Sequence, residues 1–123
     1  MDHVGIQVDD LAASRQFYDT VLAPLGYRVL ADVGPALGYG GEHHAVFWIS
    51  TATDAVPNRE GHLAFAAPSR DAVVAFHEAA LALGAESLHA PRVRPEYHPG
   101  YFGAFVRDPD GNNVEAVHHT FGG

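Results

Sequence analysis

The hydrophobic and polar positions of the chain fall into two alternating rhythms. From His3 to Val8 the side chains alternate, with His3, Gly5 and Gln7 on one face and Val4, Ile6 and Val8 on the other, which predicts a strand. Asp9 or Asp10 then stands where a helix N-cap is expected, and Leu11, Phe17, Tyr18, Val21 and Leu22 recur at helical spacing, predicting a helix through Leu22. The second half repeats the scheme. Pro68-Ser69 opens a helix whose inner face carries Val73, Phe76, Ala80 and Leu83, and Gly84 follows where a left-handed residue ends a helix. Three β-rich segments trail each helix: about 27–32, 36–39 and 45–50 after the first, and about 86–89, 101–107 and 113–119 after the second. Residues 51–60, with Pro57 and Asn58, read as a linker.

Shifting the sequence by 59 positions brings His3 onto His62, Phe17 onto Phe76, Leu22 onto Leu81 and Ala23 onto Ala82. A βαβββ unit therefore occurs twice, and the expected fold is α+β, with modules at about 1–55 and 60–121 within a single domain spanning 1–123. Asp108-Pro109-Asp110-Gly111 has the residue order of a tight turn and predicts a hairpin into the last strand. It fails the calcium-loop pattern, because no acidic residue follows the glycine at the required distance.

Composition narrows the chemistry. The 123 residues include no cysteine, so disulfides, thiolate zinc sites and thiol nucleophiles are excluded. A chain of this size buries enough surface to fold without a metal or disulfide staple. Seven basic residues, all arginine, against fifteen acidic ones give a net charge of −8, which excludes nucleic acid as a natural partner. No segment has the apolar length of a membrane span, and Met1-Asp2-His3-Val4-Gly5 lacks the basic start of a signal peptide. The expectation is a cytoplasmic protein with no membrane partner. P-loop, dinucleotide and nucleophile-elbow patterns are all missing.

Nine histidines remain as the source of reactive side chains. His3 and His62 hold equivalent positions in the two first strands, beside small residues. In the last strand Glu115 shares a face with Asn113 and Val117, a carboxylate mid-strand where an apolar residue is expected. A buried carboxylate requires a partner. Two histidines and one carboxylate form the set that holds a divalent metal while leaving coordination positions open, so His3, His62 and Glu115 are the candidate ligands. His77 and His89 read as surface or packing residues. His119 lies on the ligand face, where it would orient a ligand through a hydrogen bond.

These pieces resemble the vicinal oxygen chelate superfamily, which includes glyoxalases, bleomycin-resistance proteins and extradiol dioxygenases. The similarity runs through His3-Val4-Gly5-Ile6-Gln7-Val8, Asp10-Leu11, Phe17-Tyr18, Gly61-His62-Leu63-Ala64-Phe65 and Asp108-Pro109-Asp110-Gly111-Asn112-Asn113-Val114-Glu115. It implies paired βαβββ modules curling into a half-barrel cleft, with a metal held by the first, fifth and eighth strands, where His3, His62 and Glu115 stand. The fourth ligand of glyoxalase I would fall in Val46-Phe47-Trp48-Ile49, none of which binds metal; His43 and His44 are the nearest substitutes. Against the extradiol pattern His98 holds the histidine position, but Ala104 and Phe105 stand where a hydrophobic residue and a tyrosine belong.

The resemblance implies a metal-dependent enzyme in which Fe(II), Mn(II), Zn(II), Ni(II) or Co(II) chelates two neighbouring oxygens of a small-molecule substrate, with lyase, isomerase or ring-cleaving dioxygenase chemistry. Its alternative is a metal-free drug- or small-molecule-binding protein of the bleomycin-resistance type. The loop carrying Glu96, Tyr97 and His98 would overhang the cavity and supply the catalytic candidates, and Trp48, Tyr101, Phe105 and His119 would wall it. A homodimer is expected, with the two modules closing a cleft either within one chain or by exchange between two.

Overall fold

The computed structural model describes residues 1–121. Each half contributes a strand, a helix and three further strands. The first comprises β1 (Val4–Val8), α1 (Leu11–Leu22), β2 (Arg28–Asp32), β3 (Ala36–Gly40) and β4 (Phe47–Thr51), with a short 3-10 turn, Ala23–Leu25, after α1. The second comprises β5 (His62–Ala66), α2 (Arg70–Ala82), β6 (Ser87–Val93), β7 (Tyr101–Arg107) and β8 (Asn113–His119). Both helices start as expected: the Asp10 carboxylate accepts from the Ala13 amide, and the Ser69 hydroxyl accepts from the Ala72 amide. Gly84, at φ +84°, follows the end of α2 in the left-handed region.

The strands form two four-stranded sheets, ordered β1-β4-β3-β2 and β5-β8-β7-β6, so the fold is α+β and no barrel closes within the chain. In each sheet the first strand of the module runs parallel to the last, and the remaining pairings are antiparallel. The parallel pair is what a helix crossover permits. It sets the first-strand residues beside those of the fourth strand.

One core serves both halves. Phe47 on β4 lies 4.9 Å from Tyr18, 6.1 Å from Tyr39 and 5.1 Å from Phe65 on β5, measured between ring centroids, while Tyr27 meets Phe65 at 5.9 Å. Phe47 is thus the aromatic hub joining the two sheets. The helices α1 and α2 pack against one another and bury Phe17, Val21, Val73 and Phe76.

The Asp-Pro turn does more than close a hairpin. The Gly111 amide donates to the Asp108 carbonyl at 3.0 Å, as the sequence predicts for a tight turn. The Asp108 side chain is buried, and its two oxygens accept from the amides of Asp110 and Asn112, the Asn112 side chain and, at 2.5 Å, the hydroxyl of Tyr18. Asp110 in turn accepts from the Asp9 amide at 3.1 Å. A turn of the second half therefore clamps the start and the helix of the first. Burial, followed by the neighbouring Asp108 charge, pushes the Tyr18 hydroxyl well above its ordinary pKa, so it remains a donor.

Candidate metal and substrate site

Glu115 lies at the centre of β8, paired with Ala64 on one side and Phe105 on the other, and is 1% exposed. A carboxylate this deep needs partners, and it has two. His62 Nε2 is 3.0 Å from Oε1, and the Tyr101 hydroxyl donates to Oε2. Burial, then the bond to Glu115, raises the Tyr101 pKa, so the phenol stays protonated and holds the carboxylate in place. A Cβ at position 103 would sit 3.0 Å from Glu115 Oε2; Gly103 is the residue that leaves room for this oxygen.

The pair opens onto a cavity of about 510 Å³, lined by His62, His89, Arg94, Tyr97, Tyr101, Phe105, Asn113 and Glu115. Phe105 stacks on the His62 ring, with centroids 6.0 Å apart, and meets His89 edge-on at 5.3 Å. Four expected site residues, Tyr97, Tyr101, Phe105 and the ligand pair's own Glu115, thus share one hollow with His62.

His3 faces elsewhere. It immediately precedes β1, its Nδ1 lies 2.7 Å from Asp2 Oδ1, and with Asp2, Gly5, His44, Ala45 and Trp48 it borders a second cavity on the first sheet. The three candidate ligands are therefore divided between two hollows of the chain. Among the described residues, no group of three or more histidine, aspartate or glutamate side chains converges closely enough to hold a metal ion. His43 and His44 are exposed, and His44 Nε2 lies 3.8 Å from Asp2 Oδ2.

The loop candidates separate. Tyr97 borders the Glu115 cavity, whereas Glu96 pairs with Arg92 at 3.0 Å and with Arg94 at 3.4 Å. His98 stacks on His119 and Phe121, with its Nε2 2.9 Å from His119 Nδ1. His119 consequently contacts His98 rather than Glu115, and neither histidine lines the cavity. Trp48 belongs to the His3 hollow.

His89, expected in a surface or packing role, and Arg94, which the sequence pattern does not single out, both line the cavity. The β-rich pattern stops at about His89, but β6 continues through Pro91 to Val93. Proline is tolerated there because β6 is the sheet's edge. The β6–β7 register slips on both sides of His89, an irregularity of the kind that re-aims side chains near functional sites. An arginine directly ahead of the loop expected to overhang the cavity was the available signal.

Two βαβββ modules, with an imidazole and a buried carboxylate on adjacent parallel strands, define the glyoxalase class of fold. The chain belongs to the Glyoxalase/Bleomycin resistance protein/Dioxygenase superfamily, whose sequence model matches residues 1–116. It is similar to a glyoxalase/bleomycin resistance protein from Albidiferax ferrireducens T118, at 33% identity and TM-score 0.83, covering 97% of this chain and 98% of that one. A putative glyoxalase from Bacillus halodurans shares 26% identity at TM-score 0.73, over 96% and 94% of the two chains. Lactoylglutathione lyase from Agrobacterium tumefaciens shares the fold, at 21% identity and TM-score 0.69, over 96% and 92%. Among curated proteins none matches the sequence. The superfamily includes enzymes and often uses divalent metals, and its members bind small molecules and often dimerise. No helix among the described residues is long and apolar enough to cross a membrane.

Proposed function

We propose that the protein is a divalent-metal-dependent enzyme acting on a small molecule with two neighbouring oxygens, and that its metal site is built between two copies of the chain. The observation that carries this reading is the His62–Glu115 pair, held by Tyr101 at the floor of a cavity. An imidazole nitrogen and a carboxylate oxygen are a suitable donor set for Fe(II), Mn(II), Zn(II), Ni(II) or Co(II). Two donors leave such an ion under-coordinated. His3, at the equivalent place in the other half, is the natural third, and in a homodimer with exchanged modules His3 of the partner subunit would complete the set. Residues of about 1–55 would then supply one half of each site and residues of about 60–121 of the second chain the other.

When bound, the ion supplies Lewis-acid stabilisation to an enediolate- or catecholate-like substrate. The chain's own residues do the rest. Tyr101 orients Glu115 through its hydrogen bond, Phe105 stacks on the His62 ring, and Tyr97 and His89 stand at the cavity wall. Tyr97 is therefore the preferred proton carrier among the loop residues, with His98 and Glu96 behind it. A cytoplasmic setting agrees with a cysteine-free, acidic chain.

The test is metal content by mass spectrometry on protein purified without tag or chelator, beside the His62→Ala variant. Near-stoichiometric metal that the variant loses is the expected result, and the ion's identity then selects the assay. Protein that is empty and refuses all five ions overturns the reading and leaves the alternative, a metal-free small-molecule binder.

A further inference from the structure

The loop of residues 94–100 joins β6 to β7 and carries Tyr97 to the wall of the cavity that contains His62 and Glu115. Its far end is fastened to the chain leaving β8. The Thr120 amide donates to the Gly100 carbonyl at 2.9 Å, and a Cβ at position 100 would collide with the Thr120 carbonyl, so this close approach requires glycine. Beside that joint His98 Nε2 lies 2.9 Å from His119 Nδ1, and the Gly100 amide donates to His98 Nδ1 at 3.1 Å. The two imidazoles are nearly parallel, 18° apart, and the Phe121 ring lies nearly parallel to both. Tyr101 of β7 meets each imidazole edge-on, with centroids 5.7 Å from His98 and 5.2 Å from His119.

These contacts fix where the protons are. A backbone amide can only donate, so His98 Nδ1 is the bare, accepting nitrogen and the proton of that ring sits on Nε2. Nε2 donates it to His119 Nδ1, which leaves the His119 proton on its own Nε2. The arrangement is complete with both rings neutral and has no place for a further proton. On His98 a further proton would occupy Nδ1 and confront the Gly100 N–H; on His119 it would occupy Nδ1 and confront the His98 N–H. Reversing the shared bond offers no escape, because a His98 ring that accepts at Nε2 carries its proton on Nδ1, again facing the amide. The charged and titratable groups nearby are engaged elsewhere: Glu96 of the same loop with Arg92 and Arg94, Glu115 with His62 and Tyr101, and His118 with the Ala67 carbonyl.

We propose that the His98–His119 pair is a proton-sensitive latch, which holds the 94–100 loop and its Tyr97 against the cavity at neutral pH and releases them in mild acid. Histidine is the side chain whose charge changes in this range. Protonating either ring breaks one of the two hydrogen bonds that fasten His98, and protonating both places like charges side by side. Release reaches the site through two phenol rings: Tyr97 leans on Tyr101 at 4.8 Å between centroids, and Tyr101 orients Glu115. The latch thus governs both access to the cavity and the fixing of its carboxylate. It goes beyond the proposed function and needs neither a metal nor a second chain.

NMR-detected amide exchange on the full chain, at about pH 7.5 and about pH 5, tests this directly. The reporter is the Thr120 amide, whose bond to Gly100 involves no imidazole and opens only if loop and tail part. Its protection, corrected for the intrinsic exchange rate at each pH, is expected to fall at least about tenfold in acid, the contact between the Tyr97 and Tyr101 rings weakening with it. The β7–β8 ladder should stay protected throughout; its loss at the same pH would mean general acid unfolding and overturn the latch. His98→Ala and His119→Ala should each show the weakened protection at both pH values, with a pH effect below about twofold. Wild-type protection that is the same at both pH values, or a pH effect undiminished in either variant, overturns the proposal. Should the variants fail to fold, the imidazole nitrogen spectrum of the wild type at neutral pH decides: His98 must be protonated on Nε2 and bare at Nδ1, and the opposite tautomer overturns the latch. Repeating the exchange measurement in His62→Ala separates this inference from the metal reading, because the pH response should survive there; a response that vanishes would tie it to the metal site and contradict the latch.

Discussion

The two halves of the chain share one scaffold and differ in what the scaffold holds. The register makes the difference exact at one position: Gly5 pairs with Trp48 across β1 and β4, and Ala64 pairs with Glu115 across β5 and β8. Gly5 and Ala64 are repeat equivalents, so Trp48 occupies in the first half the place that Glu115 occupies in the second. One half presents a histidine beside an indole, the other a histidine bonded to a carboxylate. The helices diverge in the same manner. Tyr18 on α1 reaches across to Asp108 in the other half, whereas its equivalent on α2, His77, bonds at 2.7 Å to Ser87 in its own half. A duplicated fold is thus preserved by its buried apolar positions while its polar positions diverge, one half carrying a bonded histidine–carboxylate pair and the other a tyrosine that reaches into its neighbour.

Breaking the joint is expected to have the largest effect. Phe47→Ala removes the ring shared by both sheets and should cost about 3–5 kcal/mol in denaturant unfolding, with both halves melting together. Separate transitions for the halves would contradict a common core. Tyr18→Phe deletes one neutral-to-charged hydrogen bond at the clamp and should cost about 1.5–3 kcal/mol in the same measurement, a loss that Asp108→Asn shares in part.

Making the halves alike sharpens the comparison. Trp48→Glu places a carboxylate at the equivalent of Glu115, and if the two hollows face one another across a dimer it should tighten metal binding by about tenfold in a chelator competition assay. No gain in a folded variant would argue that the His3 hollow stands apart from the metal. The smallest effect is a pH dependence unique to the second helix. Burial lowers the His77 pKa, so the unfolded chain takes up the proton first; this contribution to stability is complete above about pH 6.5 and is lost as the pH falls. His77→Asn should flatten the acid side of the stability profile relative to wild type, measured as Tm against pH.

Most of the fold was legible because its signals are local. Caps at Asp10 and Ser69, the left-handed Gly84 and the spacing of apolar residues on both helices each depend on near neighbours, and the repeat then supplied the topology. The strand that was misjudged is the one where local rules conflict: Pro91 reads as a terminator, yet the edge of a sheet accepts it. Alternation also placed Glu115 among apolar residues and so exposed it as a buried carboxylate. It could not disclose that Tyr101 would be the residue holding it, nor that Arg94 would be buried with Nε and Nη2 unpaired among the described residues, because both depend on how a loop folds over another strand. His98 and His119 meet across 21 positions for the same reason, and they satisfy each other beyond the cavity.

The claim that one metal site draws on two chains is tested most directly by complementation. His3→Ala and Glu115→Ala homodimers should each be devoid of tightly bound metal. Mixing them in equal amounts under conditions of subunit exchange creates heterodimers in which one site is doubly broken and the other is intact, with His3 from one chain and His62 and Glu115 from its partner. The account predicts recovery of about a quarter of the wild-type metal content, since about half of the dimers are mixed and each carries one whole site. Metal content that stays at the level of the separate variants, despite demonstrated exchange, would contradict it.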